Sequence, residues 1–111
     1  MIGTTEPITV TISHRLGRDE AKRRINNGIG AIRAEIAPYV RGLDYRWEGD
    51  YALELHASAM MQTINGRIEV YDDSIKIEFG LPPLLHLIGK TIAGRIEKTG
   101  RALLEGPKGK S

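Results

Sequence analysis

The side chains best suited to chemistry in this chain are three histidines, His14, His56 and His86, each in a different segment. No i, i+4 histidine pair and no acidic cluster at metal spacing accompanies them, so no metal site is expected. The chain has no cysteine, which removes thiolate ligands, thiol nucleophiles and disulfides, and is compatible with an intracellular setting. No serine has a histidine and an acid at a recognisable spacing, so esterase chemistry has no support. Asp72 and Asp73 are adjacent carboxylates, but neighbours in a hairpin turn point apart, and turn chemistry explains them.

The glycine motifs also fail as phosphate sites. Gly89-Lys90-Thr91 ends like a phosphate-binding loop, yet the glycine required five residues earlier is Leu84. Gly28-Ile29-Gly30 lacks its third glycine, because position 33 is Arg33, and it falls inside a helical pattern instead of at a strand-to-helix turn. The expectation is a protein that is not an enzyme, with no catalytic residue and no cofactor. His14 is the exception worth following. The strand period points it inward, and Glu20 on the next helix is placed to reach its ring, making a structural corner that ties strand to helix.

Hydrophobic periodicity gives the elements around that corner. Ile8, Val10, Ile12, His14 and Leu16 alternate with polar residues, the signature of a half-buried strand. After Gly17, Ala21, Ile25, Ile29, Ile32 and Ile36 recur at helical spacing, giving an amphipathic helix that ends near Pro38 or at Gly42. Gly28 lies on the same stripe and marks close approach to a neighbour. Tyr45 and Trp47, then Tyr51, Leu53, Leu55 and Ala57 across Gly49-Asp50, predict a hairpin. A second hairpin sets Ile64, Gly66, Ile68 and Val70 against Ile75, Ile77 and Phe79, with Gly66 expected to make a bulge or a bend. Met60 and Met61 between the hairpins are expected to fill the core or line an apolar opening. Pro82-Pro83 then opens a second helix with a core stripe of Leu85, Ile88, Ile92, Ile96 and Leu103.

The resulting fold class is α+β: a five-stranded antiparallel sheet in the order β-α-β-β-β-β-α, with two helices on one face. Residues 8–105 form one domain, residues 1–7 an N-terminal extension, and residues 106–111 a flexible polar tail. At 111 residues one modest core is expected. No apolar run is long enough to span a bilayer and the polar start does not read as a signal peptide, which points to the cytoplasm. Net charge is +2 overall but segregated: residues 18–41 and 82–111 are net basic, and residues 44–79 are net acidic. With both helices on one side of the sheet, that side is basic and the other acidic.

Several segments together resemble the polyhydroxyalkanoic acid system family, small bacterial proteins associated with polyester storage granules. They are His14-Arg15-Leu16-Gly17-Arg18-Asp19-Glu20-Ala21, Trp47-Glu48-Gly49-Asp50, Ile64-Asn65-Gly66-Arg67-Ile68-Glu69-Val70, and Leu81-Pro82 leading into Ile88-Gly89-Lys90 and Arg95-Ile96-Glu97. The likeness covers residues 8–104; the loop with Met60 and Met61 and the double proline fall outside its pattern. It implies a role at, or in control of, polyhydroxyalkanoate granules, and it brings no catalytic residues. The arrangement also resembles a reduced helix-grip fold.

Two readings follow. In the first, the basic helical side meets a granule surface or a granule protein, Arg18, Arg23, Lys90 and Arg101 supplying charge and Leu84 and Leu87 an apolar foothold. Alternatively those leucines pack under the proline turn or in a homodimer. In the second, an apolar cavity between sheet and second helix carries an acyl chain, lined by Trp47, Leu55, Ile68, Phe79 and Ile92. Nucleic-acid binding is not expected, because no aromatic stacking surface accompanies the basic residues.

Overall fold

Alternating β-branched and polar residues make Ile8–Ser13 an extended strand, β1, with Val10 and Ile12 buried and Thr9, Thr11 and Ser13 exposed. The computed structural model describes residues 7–59, 61–81 and 88–105. Helix α1 spans Arg18–Ile36 and is followed by β2 (Arg41–Glu48), β3 (Ala52–Ala59), β4 (Gln62–Val70), β5 (Ser74–Phe79) and α2 (Gly89–Glu105). The five strands form one antiparallel sheet in the spatial order β1-β5-β4-β3-β2. The chain thus crosses from one sheet edge to the other through α1, and the last hairpin strand returns to lie beside the first. The fold class is the α+β arrangement expected from the periodicity.

The core lies between the inward sheet face and the two helices. Ile12, Ile25, Leu53, Ile68 and Ile75 are among its fully buried side chains, and burying each of that size contributes about 1.5–3 kcal/mol. Close helix approach depends on glycine. A Cβ on Gly28 would fall inside contact distance of the Leu103 methyls, and one on Gly100 would meet Ile12 at 2.9 Å. One on Gly89 would likewise meet Ile8 at 2.9 Å. Two of the three α2 glycines therefore lie on its packed face, where they bring the helix down onto β1.

Several details differ from expectation. Helix α1 ends at Ile36, whose carbonyl accepts the N–H groups of both Tyr39 and Val40. The ladder runs through Gly66 with no register shift, pairing it with Leu55 and Phe79. The irregularity is instead between Arg41 and Leu43, where Gly42 takes φ 63°. Met61 is fully exposed with φ 67°, so it turns the chain and does not fill the core. Met60, Leu85 and the proline start of the second helix lie outside the described residues. Leu104 is buried on α2, while Leu103 is half-buried against Gly28.

Replacing Gly28 with Val should therefore cost about 1–3 kcal/mol of stability through overpacking. In urea unfolding, Gly28→Ala combined with Leu103→Ala should lose less than the sum of the two single changes, because the new methyl occupies vacated space. Strict additivity would mean that the two side-chain positions do not compete.

Candidate functional site

The strand-to-helix corner is built by backbone and by the β4–β5 turn. His14 is buried, its Nε2 lies 3.1 Å from the Tyr71 carbonyl oxygen, and its Nδ1 accepts the Leu16 N–H at 3.1 Å. The carbonyl can only accept, so the ring carries its proton on Nε2. His14 N–H also donates to Asp73 O at 2.8 Å. Asp72 Oδ1 accepts from Arg18 N–H at 3.4 Å, supplying a carboxylate at the α1 N-terminus, where Gly17 has no side chain to cap with. Glu20 does not reach His14. It binds Arg23 and Arg24, whose guanidinium groups pull its pKa down from 4.5 to about 2. The corner is a satisfied structural device: both ring nitrogens are occupied, leaving no nitrogen to take a substrate proton.

The helices run antiparallel, with Glu35 facing Arg95 and Arg24 reaching the Leu104 carbonyl. Lys90 therefore sits at the opposite end of the helix layer from Arg18 and Arg23, and α1 alone is about 28 Å long. The four expected cations do not form one patch. Arg18 stacks on the Tyr51 ring at 4.2 Å, Arg23 is paired with Glu20, and Arg101 with Glu97 at 2.7 Å. Lys90 and Lys98 are exposed and make no ion pair among the described residues. They border an outward groove between the helices, floored by Ala31, Gly94 and Ala102 and crossed by the Arg95–Glu35 pair at 3.3 Å. Lys98 and Arg95 were not among the residues expected to make contact; the i, i+4 spacing of Lys90, Gly94 and Lys98, with Arg95 four residues after Thr91, is the signal that groups them. Leu84 and Leu87 lie outside the described residues.

On the far sheet face the cations are paired internally. Arg67 bridges Glu54 at 3.1 Å and Glu69 at 3.0 Å and approaches Glu48 at 3.4 Å, and Lys76 approaches Glu69 at 3.7 Å. The Tyr71 hydroxyl and Arg67 together hold the Glu69 carboxyl below its usual range. The sheet-face cations are thus tied into a carboxylate network, whereas among the described residues the helical side leaves Lys90 and Lys98 without an ion pair.

Beneath the helices lies a partly enclosed apolar cavity of about 60 Å³. Leu55, Ile68 and Phe79 line its sheet side and Ile92 its helix side, together with Ile32 and Ile36 of α1. Trp47 does not line it. Its indole N–H donates to Asn26 Oδ1 at 2.8 Å and its ring takes Lys22 at 4.8 Å, which holds it on the outer flank of α1. Among the described residues no group of three or more acidic or histidine side chains could hold a metal ion. No described helix is long and apolar enough to cross a membrane.

The family model described as "Putative polyhydroxyalkanoic acid system protein" matches residues 8–104. A search of curated proteins returns no match. Among solved structures the chain is similar to the di-domain ARO/CYC protein BexL from the BE-7585A biosynthetic pathway, at 11% identity and a TM-score of 0.50. That likeness covers 94% of this chain and 51% of BexL, so the chain spans about half the length of that protein. A Thermus thermophilus protein is matched at 10% identity and a TM-score of 0.34, over 89% of this chain and 92% of that one. The BexL likeness concerns the fold alone.

Two outcomes follow from the corner. His14→Gln should lower Tm, because Gln cannot satisfy both Tyr71 and Leu16 from one position, and should leave surface association intact; lost association at unchanged Tm would make the ring functional. Glu20 has a depressed folded-state pKa, so its stabilising contribution is present above pH 4.5 and fades as pH falls towards about 2. Glu20→Gln should therefore lower Tm at pH 7, with the gap from the unaltered protein closing in acid. A gap that stays constant across that window would remove the electrostatic explanation.

Proposed function

The chain belongs to the polyhydroxyalkanoic acid system protein family, and on that premise we propose that it is a non-enzymatic protein that sits at, or regulates, the boundary of polyhydroxyalkanoate granules through its helical side. The observation that carries this reading is the asymmetry of charge compensation. Lys90 and Lys98 are exposed without ion pairs among the described residues, while the sheet-face cations Arg46, Arg67 and Lys76 are each engaged by a carboxylate. A surface whose cations are already paired gains little from an anionic partner, whereas two exposed lysines beside a groove floored by small residues can approach one closely. Leu84 and Leu87 would add the apolar foothold next to Lys90. This placement is cytoplasmic, at the granule periphery.

The competing reading, a carrier of acyl chains, meets a size constraint. A cavity of about 60 Å³ is less than half the roughly 150 Å³ in which benzene binds an engineered apolar cavity. A long chain would require the helix layer to lift.

Co-sedimentation of the protein with polyhydroxyalkanoate granules across a salt series separates these. Saturable association should weaken several-fold as the screening length shortens from about 30 Å at 0.01 M to about 8 Å at 0.15 M. It should weaken again in Lys90→Glu/Lys98→Glu and in Leu84→Ser/Leu87→Ser, while Lys76→Glu on the sheet face should have no effect. Association that ignores salt, or none at all, would refute the electrostatic contact and bring the carrier reading forward.

A further inference from the structure

On the sheet side of the cavity one side chain is missing. In the cross-strand row Leu55, Gly66, Phe79, the central position of the sheet is bare. The neighbouring row Leu53, Ile68, Ile77 is filled at every strand. A Cβ at Gly66 would meet the Glu78 carbonyl oxygen at 3.4 Å, Phe79 Cβ at 3.5 Å and Leu55 Cβ at 3.7 Å, all tolerable contacts. Gly66 also has no positive φ and lies in an unshifted ladder. Neither backbone conformation nor crowding therefore demands glycine there, and its bareness adds room to the hollow between Leu55 and Phe79.

The hollow is lined almost wholly by apolar residues, Glu78 excepted. It exposes no polar surface, and its roof is made by Ile32 and Ile36 of α1 and Ile92 and Ile96 of α2. Water inside would forfeit the two to four hydrogen bonds that hold buried water in place, so the space stays dry and favours hydrocarbon. Its volume of about 60 Å³ suits an alkyl group of about two or three carbons.

We infer that this cavity binds the short alkyl side group of a hydroxyalkanoate ester, with the ester and hydroxyl groups remaining in solvent. The inference rests on the granule reading for the chemistry of the occupant, and on Gly66 and the lining for its size. The protein would then distinguish polyesters by side-group length: a methyl group underfills the cavity, an ethyl or propyl group fits, and a heptyl group does not enter.

The test is a titration of the methyl-labelled full chain with the methyl esters of 3-hydroxybutyrate, 3-hydroxyvalerate, 3-hydroxyhexanoate and 3-hydroxydecanoate, read by NMR. Saturable shifts are expected at the Leu55, Ile64, Ile68 and Ile92 methyls, strongest for the ethyl and propyl side groups and about tenfold weaker for heptyl. Gly66→Ala, which places a methyl in the hollow at ordinary contact distances, should weaken ethyl and propyl binding about tenfold, with folding checked by the unchanged spectrum outside the lining. Should Gly66→Ala fail to fold, Ile92→Met, which reshapes the roof without adding polar surface, should shift the length preference. No saturable shift with any ester, equal binding of all four, or unaltered binding in a folded cavity variant would overturn the inference. Granule co-sedimentation run alongside keeps the two ideas apart. Ester binding without granule association sinks the granule reading alone, and granule association without ester binding sinks the cavity inference alone.

Discussion

Where α1 crosses α2, Leu103 occupies the space that a side chain at Gly28 would need, and Gly89 and Gly100 let α2 settle on Ile8 and Ile12 of β1. Glycine inside a helix costs about 1 kcal/mol relative to Ala, so these positions weaken the helices as isolated segments. The compensation is tertiary: close approach lets Ile92, Ile96 and Leu104 reach a sheet face they would otherwise stand away from. The helix layer is therefore held by packing and not by propensity. Its height above the sheet sets the cavity volume, and its antiparallel seam sets which cations share a groove.

The same layering separates the electrostatics. On the sheet, register brings Arg67 between carboxylates of neighbouring strands, which engage it from three sides. Exposed pairs of this kind contribute about 0–1 kcal/mol each, so their importance lies less in stability than in occupying the cations of that face, which stays net acidic. On the helices, pairing is selective. Arg23, Arg24, Arg95 and Arg101 have carboxylate partners, Arg18 and Lys22 lie over aromatic rings, and Arg33 donates to the Leu43 carbonyl on the edge strand β2. The described helix cations left without such a partner, Lys90 and Lys98, both border one groove.

The order of elements along the chain, the two hairpins and the helix stripes were legible because each rests on local periodicity: Ile8 to Ile12 and Ile75 to Phe79 alternate, and Ala21 to Ile32 repeats helically; the pairing of β1 with β5 was not. Partner choice was not legible. Glu20 and His14 are near in sequence, yet the turn residues Tyr71 and Asp73 approach His14 only once β5 pairs with β1. Trp47 falls on the apolar period of β2, but its indole N–H needs an acceptor, and Asn26 on the flank of α1 supplies one. Gly66 read as a bulge because glycine in a strand signals irregular backbone, whereas here its effect lies in the side chain it lacks. Four of the five residues expected at the cavity do line it, since inward alternation places them there; Ile32, Ile36 and Ile96 join them through the height of the helix layer, which no single-strand or single-helix pattern encodes.

The proposed helix-side contact is tested most directly by lysine-reactivity footprinting on polyhydroxyalkanoate granules, with Lys76 of the sheet face as the internal reference. Lys90 and Lys98 should lose reactivity on association while Lys76 keeps its own. Protection of Lys76, or unchanged reactivity of Lys90 and Lys98 in protein known to be granule-bound, would contradict contact through the helices.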